Sequence, residues 1–498
     1  MKWFLLLTFS LVISSFGEAH ESSNVVSEVR SSIFKIYASS QTTLHSRPWT
    51  FESIGNSSGS GFLIGPNLIL TNAHVVAHAK SLFVQKDRDQ EMRRAYVKFV
   101  AHDVDLALIS LLDEADLKGI KPLSFADNAR LGDSVLTIGF PIGGEEISVT
   151  KGIISRFDYR LYAHSAFSKR LLFQVDSAIN HGNSGGPVFI NNKVLGVAFQ
   201  SKMTDQNIGY VIPFLVVKRF LLDVQDGTYD KQPSTGIHVR AWVTRNEQEK
   251  KLNGVEVTFV EKDSITDGVL MVGDRLLEVD GKPVGIDGKV IILGERISFK
   301  ALFGLAQIGS LLKFKVLRNS KEETLAAKVR AYEPHFSSLS FERNPRFVSY
   351  GGLVFTPLST SWLRERGPKW MEKTSPFFNY LYNFSEFDSF FDEVSEFVIL
   401  SSVLVKNFVP RSVFFLEGVV ESFNGKKVKS LAHFHKLFEE EQKETSKIKF
   451  YNKRELLFVK TDFLKKGNNT VKNLFSLKQD KMLESPIDGA VRKEDFLK

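Results

Sequence analysis

The segment VDSAINHGNSGGPVFI (175–190) sets Ser184 in a glycine-rich turn between two β-like runs. Glycines there admit backbone angles closed to other residues and let neighbouring N–H groups converge on one point. An oxyanion is what such a point would hold, with the N–H groups of Gly182 and Ser184 as donors. One such donor is worth roughly 3–4 kcal/mol in a protease. A serine hydroxyl is a weak nucleophile until a base takes its proton. TNAHVV (71–76) offers His74, after the apolar run NLIL and at the start of a short turn. That base in turn needs a carboxylate to fix its tautomer and stabilise the imidazolium. HDVDLALISL (102–111) offers Asp105 at the entrance to an apolar strand, with Asp103 two residues before it. The chain order His, Asp, Ser within one β-rich segment points to acyl transfer, a chemistry that calls for no metal and no cofactor.

Each piece alone has an ordinary explanation, since glycine turns are common and an aspartate before a strand is often a turn former. The combination carries the reading. A metalloprotease is the rival chemistry, because His74 and His78 are four apart as in H-E-x-x-H. Val75 stands where the glutamate base would be, and no third ligand is evident. His433 and His435 read as surface residues. The chain has no cysteine, which excludes thiol proteases, thiolate metal sites and disulfide frameworks.

The elements that must hold these residues are short. From 28 to 227, runs such as GSGFLIG, NLILTN, AYVKFV, SVLTIGF, KVLGVAFQ and NIGYVIP recur about every ten residues, punctuated by Gly, Asn, Asp and Pro. Many short strands without intervening helical repeats predict a mainly β fold, a double barrel. PFLVVKRFLLDVQDG (213–227) has helical spacing and stops at Gly227, so it closes this domain. After a polar linker, residues 236–332 form a second unit, in which RLLEVDGKPV turns at Asp280-Gly281, a hairpin signal. VVESFNGKKV (419–428) echoes it with Asn-Gly, and a third domain is placed at 340–465. SPFFNYLYNFSEFDSFFDEVSEF (375–397) reads as a partly buried helix, and 466–498 as a flexible basic tail.

At 498 residues the chain exceeds the size at which single cores stop growing, so several domains are expected. Its net charge of +8 is scattered, with no block of five or six like charges, which argues against a nucleic-acid tract. Residues 1–19 read as a secretory signal peptide: Lys2, an apolar run from Trp3 to Ser14, then Gly17 and Ala19. That run is shorter than the ~20 residues a spanning helix needs. A secreted or periplasmic location follows as the expectation, with an uncleaved anchor as its rival.

The blocks GSGFLI (59–64), LTNAHVV (70–76), DLALISL (105–111), GDSVLTIGFPIG (132–143), DSAINHGNSGGPV (176–188), LGVAFQS (195–201) and NIGYVIP (207–213) closely resemble successive blocks of the HtrA/Deg serine proteases. GVLMVGDRLLEVDGKPV (268–284) resembles the PDZ domain that follows the protease in that family. YGGLVFTPLS (350–359) and FFLEGVVESFNGKKVKSLAHF (414–434) look like the C-terminal half of plant-type Deg proteases, with its degenerate second PDZ-like domain. The resemblance implies a chymotrypsin-like fold with His74, Asp105 and Ser184 as its triad. It also implies an S1 pocket lined by Ile179 and by Val197, Ala198 and Phe199, with Gln200 and Ser201 beyond them. No acidic residue stands at that pocket, which favours cleavage after small or medium apolar residues. The family would further imply unfolded protein or peptide substrates, quality control as the role, and trimers or their multiples. Phe34, Tyr37, Trp49 and Phe51 are the aromatic residues available near the N-terminus for such contacts. DYRLYAHSAFSKR (158–170) falls where the family carries activation loops, and STGIHV (234–239) matches the usual PDZ carboxylate-binding loop poorly. A peptide-binding or chaperone-like PDZ scaffold with an idle protease fold is the alternative.

Overall fold

Successive side chains of a strand point to opposite faces, so the apolar pattern of a strand records what lies on each side of it. In the computed structural model, which describes residues 25–162, 169–199, 208–233, 235–242, 253–331, 341, 343–367, 369–404, 412–440, 443–460, 462, 464, 481–483 and 492–496, the short runs of the first two hundred residues form two closed barrels. The leader expected at 1–19 lies outside the described residues.

The first barrel contains β1 (Ile33–Ser40), β2 (Gly55–Gly65), β3 (Leu68–Thr71), β4 (Ala79–Lys86), β5 (Met92–Ala101) and β6 (Leu106–Leu111). They close in the order β1-β2-β3-β6-β5-β4, with β1 antiparallel to β4. The second contains β7 (Ser134–Gly139), β8 (Ser148–Leu161), β9 (Lys169–Val175), β10 (Pro187–Ile190), β11 (Lys193–Phe199) and β12 (Gly209–Pro213), in the order β10-β11-β12-β9-β8-β7. On β2, β3 and β6 both faces are apolar and each face has its own destination. Leu63, Ile69, Ala107 and Ile109 fill the first barrel. Their neighbours Phe62, Leu70, Leu106 and Leu108 join the core of the second. All six residues of β6 are therefore buried. Each buried Leu, Ile or Phe contributes about 1.5–3 kcal/mol, so the two barrels are held together by the same strands that build one of them.

The expected closing helix runs Phe214–Asp223, and Gly227 ends the turn after it at φ +95°. Beyond it, Ile237–Ala241, Val255–Val260, Arg275–Val279, Leu311–Arg318 and Lys321–Lys328 form one sheet in that order. Its core residues Val255, Leu276, Phe303 and Phe314 belong to the same continuous cluster as Val188 and Phe220 of the protease part. The two hairpins that echo one another in sequence do so in backbone. Asp280 and Gly281 have φ +50° and +72°, Asn424 and Gly425 +50° and +84°. Asp280 N–H donates to Lys313 O, and Asn424 N–H to Lys447 O, both at 2.8 Å. Two consecutive positive φ values are what a two-residue hairpin of this hand requires.

The chain divides into two compact units, residues 1–40, 56–332 and 490–498 in one, and 41–55 with 333–489 in the other. Residues 41–55, inside the stretch assigned from sequence to the protease domain, thus belong with the C-terminal unit, and hydrogen bonds explain it. Glu365 accepts from the N–H groups of His45 and Ser46, Ser402 Oγ donates to Ser46 O at 2.7 Å, and Trp49 meets Phe347 edge-on at 5.9 Å. Within this unit only the first part of the phenylalanine-rich segment forms an α-helix, Pro376–Phe384, with Phe378 and Leu381 buried; Ser385–Phe387 and Ser389–Phe391 are short 3-10 turns. Two stretches of the tail expected to be free are also tied down. Lys481–Met482 pairs with Phe347–Tyr350, and Arg492 donates to the Val97 and Lys98 carbonyls of β5. Among the aromatic residues proposed for subunit contacts, Phe34 is fully buried inside the first barrel, because it lies on the inward face of β1.

Candidate active site

His74 lies on the one-turn helix Ala73–Val76 that follows β3, and Asp105 lies at the turn into β6; β3 and β6 are paired neighbours. This brings the two residues together. The Asp105 carboxylate accepts from the His74 backbone N–H at 2.9 Å and contacts its ring Nδ1 at 3.0 and 2.8 Å through its two oxygens. An ionised carboxylate only accepts, so Nδ1 carries the hydrogen and the neutral ring has its lone pair at Nε2. Asp105 is 1% exposed, and its carbonyl accepts from Asn72 Nδ2 at 2.9 Å. Its φ of +56° is in the left-handed region. Burial, the largest influence on His74, works against the imidazolium. The charge of Asp105 and its hydrogen bond outweigh burial, and the His74 pKa is raised above the ordinary value.

Ser184 comes from the second barrel, in the turn before β10, and is 7% exposed. Its carbonyl accepts from Ser60 N at 2.8 Å, so β2 of the first barrel carries the serine loop directly. Gly185 shows how close the approach is. A Cβ there would sit 2.3 Å from Thr71 Oγ1 and 3.2 Å from Asn72 N, the step that leads into His74.

The peptide between His181 and Gly182 has a fixed orientation. The His181 carbonyl accepts from Ile142 N at 2.8 Å, and the Gly182 carbonyl accepts from Ser60 Oγ at 2.7 Å. Ser60 Oγ in turn accepts from Phe140 N at 2.8 Å. In a trans peptide C=O and N–H point opposite ways, so the Gly182 N–H is directed away from Ile142. Only glycine fits at this position, since φ is +97° and a Cβ would lie 2.3 Å from Phe140 O.

The four residues expected to line a specificity pocket are all buried: Ile179, Val197, Ala198 and Phe199. Ile179 packs against Gly209, where a Cβ would meet its Cδ1 at 2.7 Å. Phe199 lies beside Tyr162 at 5.4 Å and Tyr210 at 5.9 Å. Ala198 is pinned by its backbone to Gly185 and Gly186, both at 2.9 Å, and Val197 pairs with Pro187 and Ile212. Gln200 and Ser201 lie outside the described residues.

The sequence reading missed three contributors. Ser60 orders the Gly182 loop, Asn72 holds the Asp105 backbone, and Lys35 Nζ donates to Gly144 O at 2.9 Å, bracing the loop that contains Ile142. Ser60 and Asn72 sit inside the recognised GSGFLI and LTNAHVV blocks, which was the available signal. Lys35, a nearly buried lysine in a strand, left only the oddity of its burial.

Residues 59–197 match the model of the trypsin-like peptidase domain, and residues 337–480 that of the PDZ domain. The PDZ match thus falls on the C-terminal domain, the one read from sequence as degenerate. With its two barrels and peptidase match, the chain is a trypsin-like serine endopeptidase. It is 32% identical to putative protease Do-like 3, mitochondrial, of Arabidopsis thaliana, over 82% of this chain and 72% of that one. Identity to putative protease Do-like 13 of the same plant is 34%, over 71% and 74% of the respective chains. A probable periplasmic serine endoprotease DegP-like of Rickettsia conorii is 31% identical over 54% of this chain and 53% of its own. The chain belongs to the Deg, or protease Do-like, family of serine endopeptidases.

Proposed function

We propose that this endopeptidase works through Ser184, His74 and Asp105. Ser184 Oγ attacks the scissile carbonyl while His74 Nε2 accepts its proton and later returns it to the leaving amine. Asp105 holds the imidazole in the required tautomer, and the N–H groups of Gly182 and Ser184 take the oxyanion. The observation that carries the reading is the two-oxygen contact of a buried Asp105 with His74 Nδ1, beside a serine loop whose Ser184 carbonyl accepts from Ser60 N of the neighbouring strand β2. Water, activated by the same histidine, then releases the acyl group from Ser184.

The lining of Ile179, Val197, Ala198 and Phe199 supports cleavage after small or medium apolar residues, and the family supports unfolded proteins as substrates, quality control as the role, and an oligomeric assembly. We further propose export directed by residues 1–19. The test is degradation of casein by the full chain beside Ser184→Ala, with product ends read by mass spectrometry. The reading expects Ser184→Ala to be inert and the cleaved bonds to follow Val, Ala, Ile or similar residues. Equal activity of the two proteins, or cleavage mainly after Lys and Arg, would sink it. N-terminal sequencing of the mature protein tests the leader: a chain that still begins at Met1 refutes cleavage.

A further inference from the structure

The turn that bears Asp105 carries a second carboxylate, which the chemistry above leaves unused. Asp103 Oδ1 accepts from the Tyr229 hydroxyl, and Oδ2 from the Gln232 backbone N–H, both at 2.7 Å. These donors lie 126 and 129 residues further along the chain, in the segment that leaves the helix Phe214–Asp223 and enters the sheet at Ile237. Such a contact is no local turn device.

The same segment is gripped from its other side. Arg219 Nη2 donates to Lys231 O at 2.8 Å, its guanidinium lies 6.0 Å from the Tyr229 ring, and it pairs with Asp223 at 3.4 Å. Asp223 accepts from Asp230 N at 3.0 Å. Arg219 also reaches the following domain, donating to Ala306 O at 3.4 Å and accepting from Gln307 Nε2 through its own carbonyl at 2.9 Å. Both Arg219 and Asp223 are buried, as is Gln232. Lys231 is held at φ +67°. Non-glycine residues stay in that region only where their surroundings over-determine them. Asp105, two residues beyond Asp103, is in the same region.

We propose that Asp103 is a positioning residue: by binding Tyr229 and Gln232 it fixes the turn 101–105 so that the Asp105 carboxylate meets His74, which makes correct seating of the interdomain segment a condition of full catalytic rate. The inference rests on the Ser184, His74 and Asp105 reading. It places the charge of Asp103 in a secondary role and its two hydrogen bonds in the primary one. An asparagine can keep both, with Oδ1 accepting from Gln232 N–H and Nδ2 donating to the Tyr229 oxygen. Alanine keeps neither, and Tyr229→Phe loses one.

The test measures kcat and KM of the full chain on a quenched-fluorescent peptide, the rate at which a fluorophosphonate labels Ser184, and the melting temperature. Misplacement of a catalytic group is costly in rate, so Asp103→Ala is expected to lower kcat about tenfold, with labelling falling in parallel and KM unchanged. Tyr229→Phe shows a smaller loss of the same kind, and Asp103→Asn keeps most of the rate. If Asp103→Asn falls as far as Asp103→Ala, charge rather than positioning is at work and the proposal fails. It fails equally if Tyr229→Phe, which removes a single hydroxyl, lowers the melting temperature while kcat stands. Asp105→Asn is run beside them. Its loss of turnover with an unaffected Asp103→Ala refutes this inference alone, whereas an unaffected Asp105→Asn refutes the triad beneath it.

Discussion

At the scale of single residues, the raised pKa of His74 sets a direction for the pH dependence. In the proposed mechanism the neutral imidazole accepts the Ser184 proton, so kcat/KM should fall as pH drops through that raised value. Asp105→Asn removes the charge that raises the pKa, weakens the hydrogen bond and leaves burial, which lowers it. The acid limb of kcat/KM should therefore move to lower pH, while the rate itself falls by about 10⁴ because the tautomer is no longer fixed. A pH-rate profile on a peptide substrate checks both; an acid limb that stays put contradicts the assignment. For stability the sign is the reverse of the usual carboxylate case. Protonated His74 stabilises the fold below its unfolded pKa, and that contribution is lost as pH rises through the folded one. Residue types alone did not separate Asp103 from Asp105, because both are aspartates before the same strand. Their partners separate them, His74 for one and Tyr229 with Gln232 for the other.

At the scale of elements, the proposed site is divided between barrels: His74 and Asp105 are carried by the turns that follow β3 and precede β6, Ser184 by the loop before β10. What aligns them is the outward face of β2, β3 and β6, where Leu108 is 1% exposed within the core of the second barrel. Leu108→Ala should cost about 2–5 kcal/mol, measured by urea unfolding, and should lower kcat as the barrels lose registration. A loss below ~1 kcal/mol would mean that the interface collapses around the gap. The short strands, the closing helix and both Asp-Gly and Asn-Gly hairpins were legible in the sequence, because period-two patterning and turn residues are local signals. The continuous run LALISL hides its alternation, since the partners on both faces are apolar. The GSGFLI block marks Ser60 but not its task, because a serine between glycines announces nothing about which carbonyl it will hold. The same limit hid the allegiance of Trp49, whose partner Phe347 is far along the chain.

At the scale of the whole molecule, the outward face of the first barrel, the second barrel and the sheet that follows share one core cluster and the first barrel's interior forms another, while the C-terminal unit has two of its own. Calorimetry should therefore resolve two transitions. Trp49→Ala, a change within the sequence span of the first barrel, should lower the transition of the C-terminal unit and leave the other in place; the opposite assignment would refute the partition. The membership of residues 41–55 also bears on synthesis. Ser46 accepts a hydrogen bond from a residue 356 positions later. A ribosome adding about 5–20 residues per second takes roughly 20–70 s to deliver that partner. Throughout that interval segment 41–55 lacks the partner that Ser46 O accepts from, a window in which a chaperone or a protease would meet it.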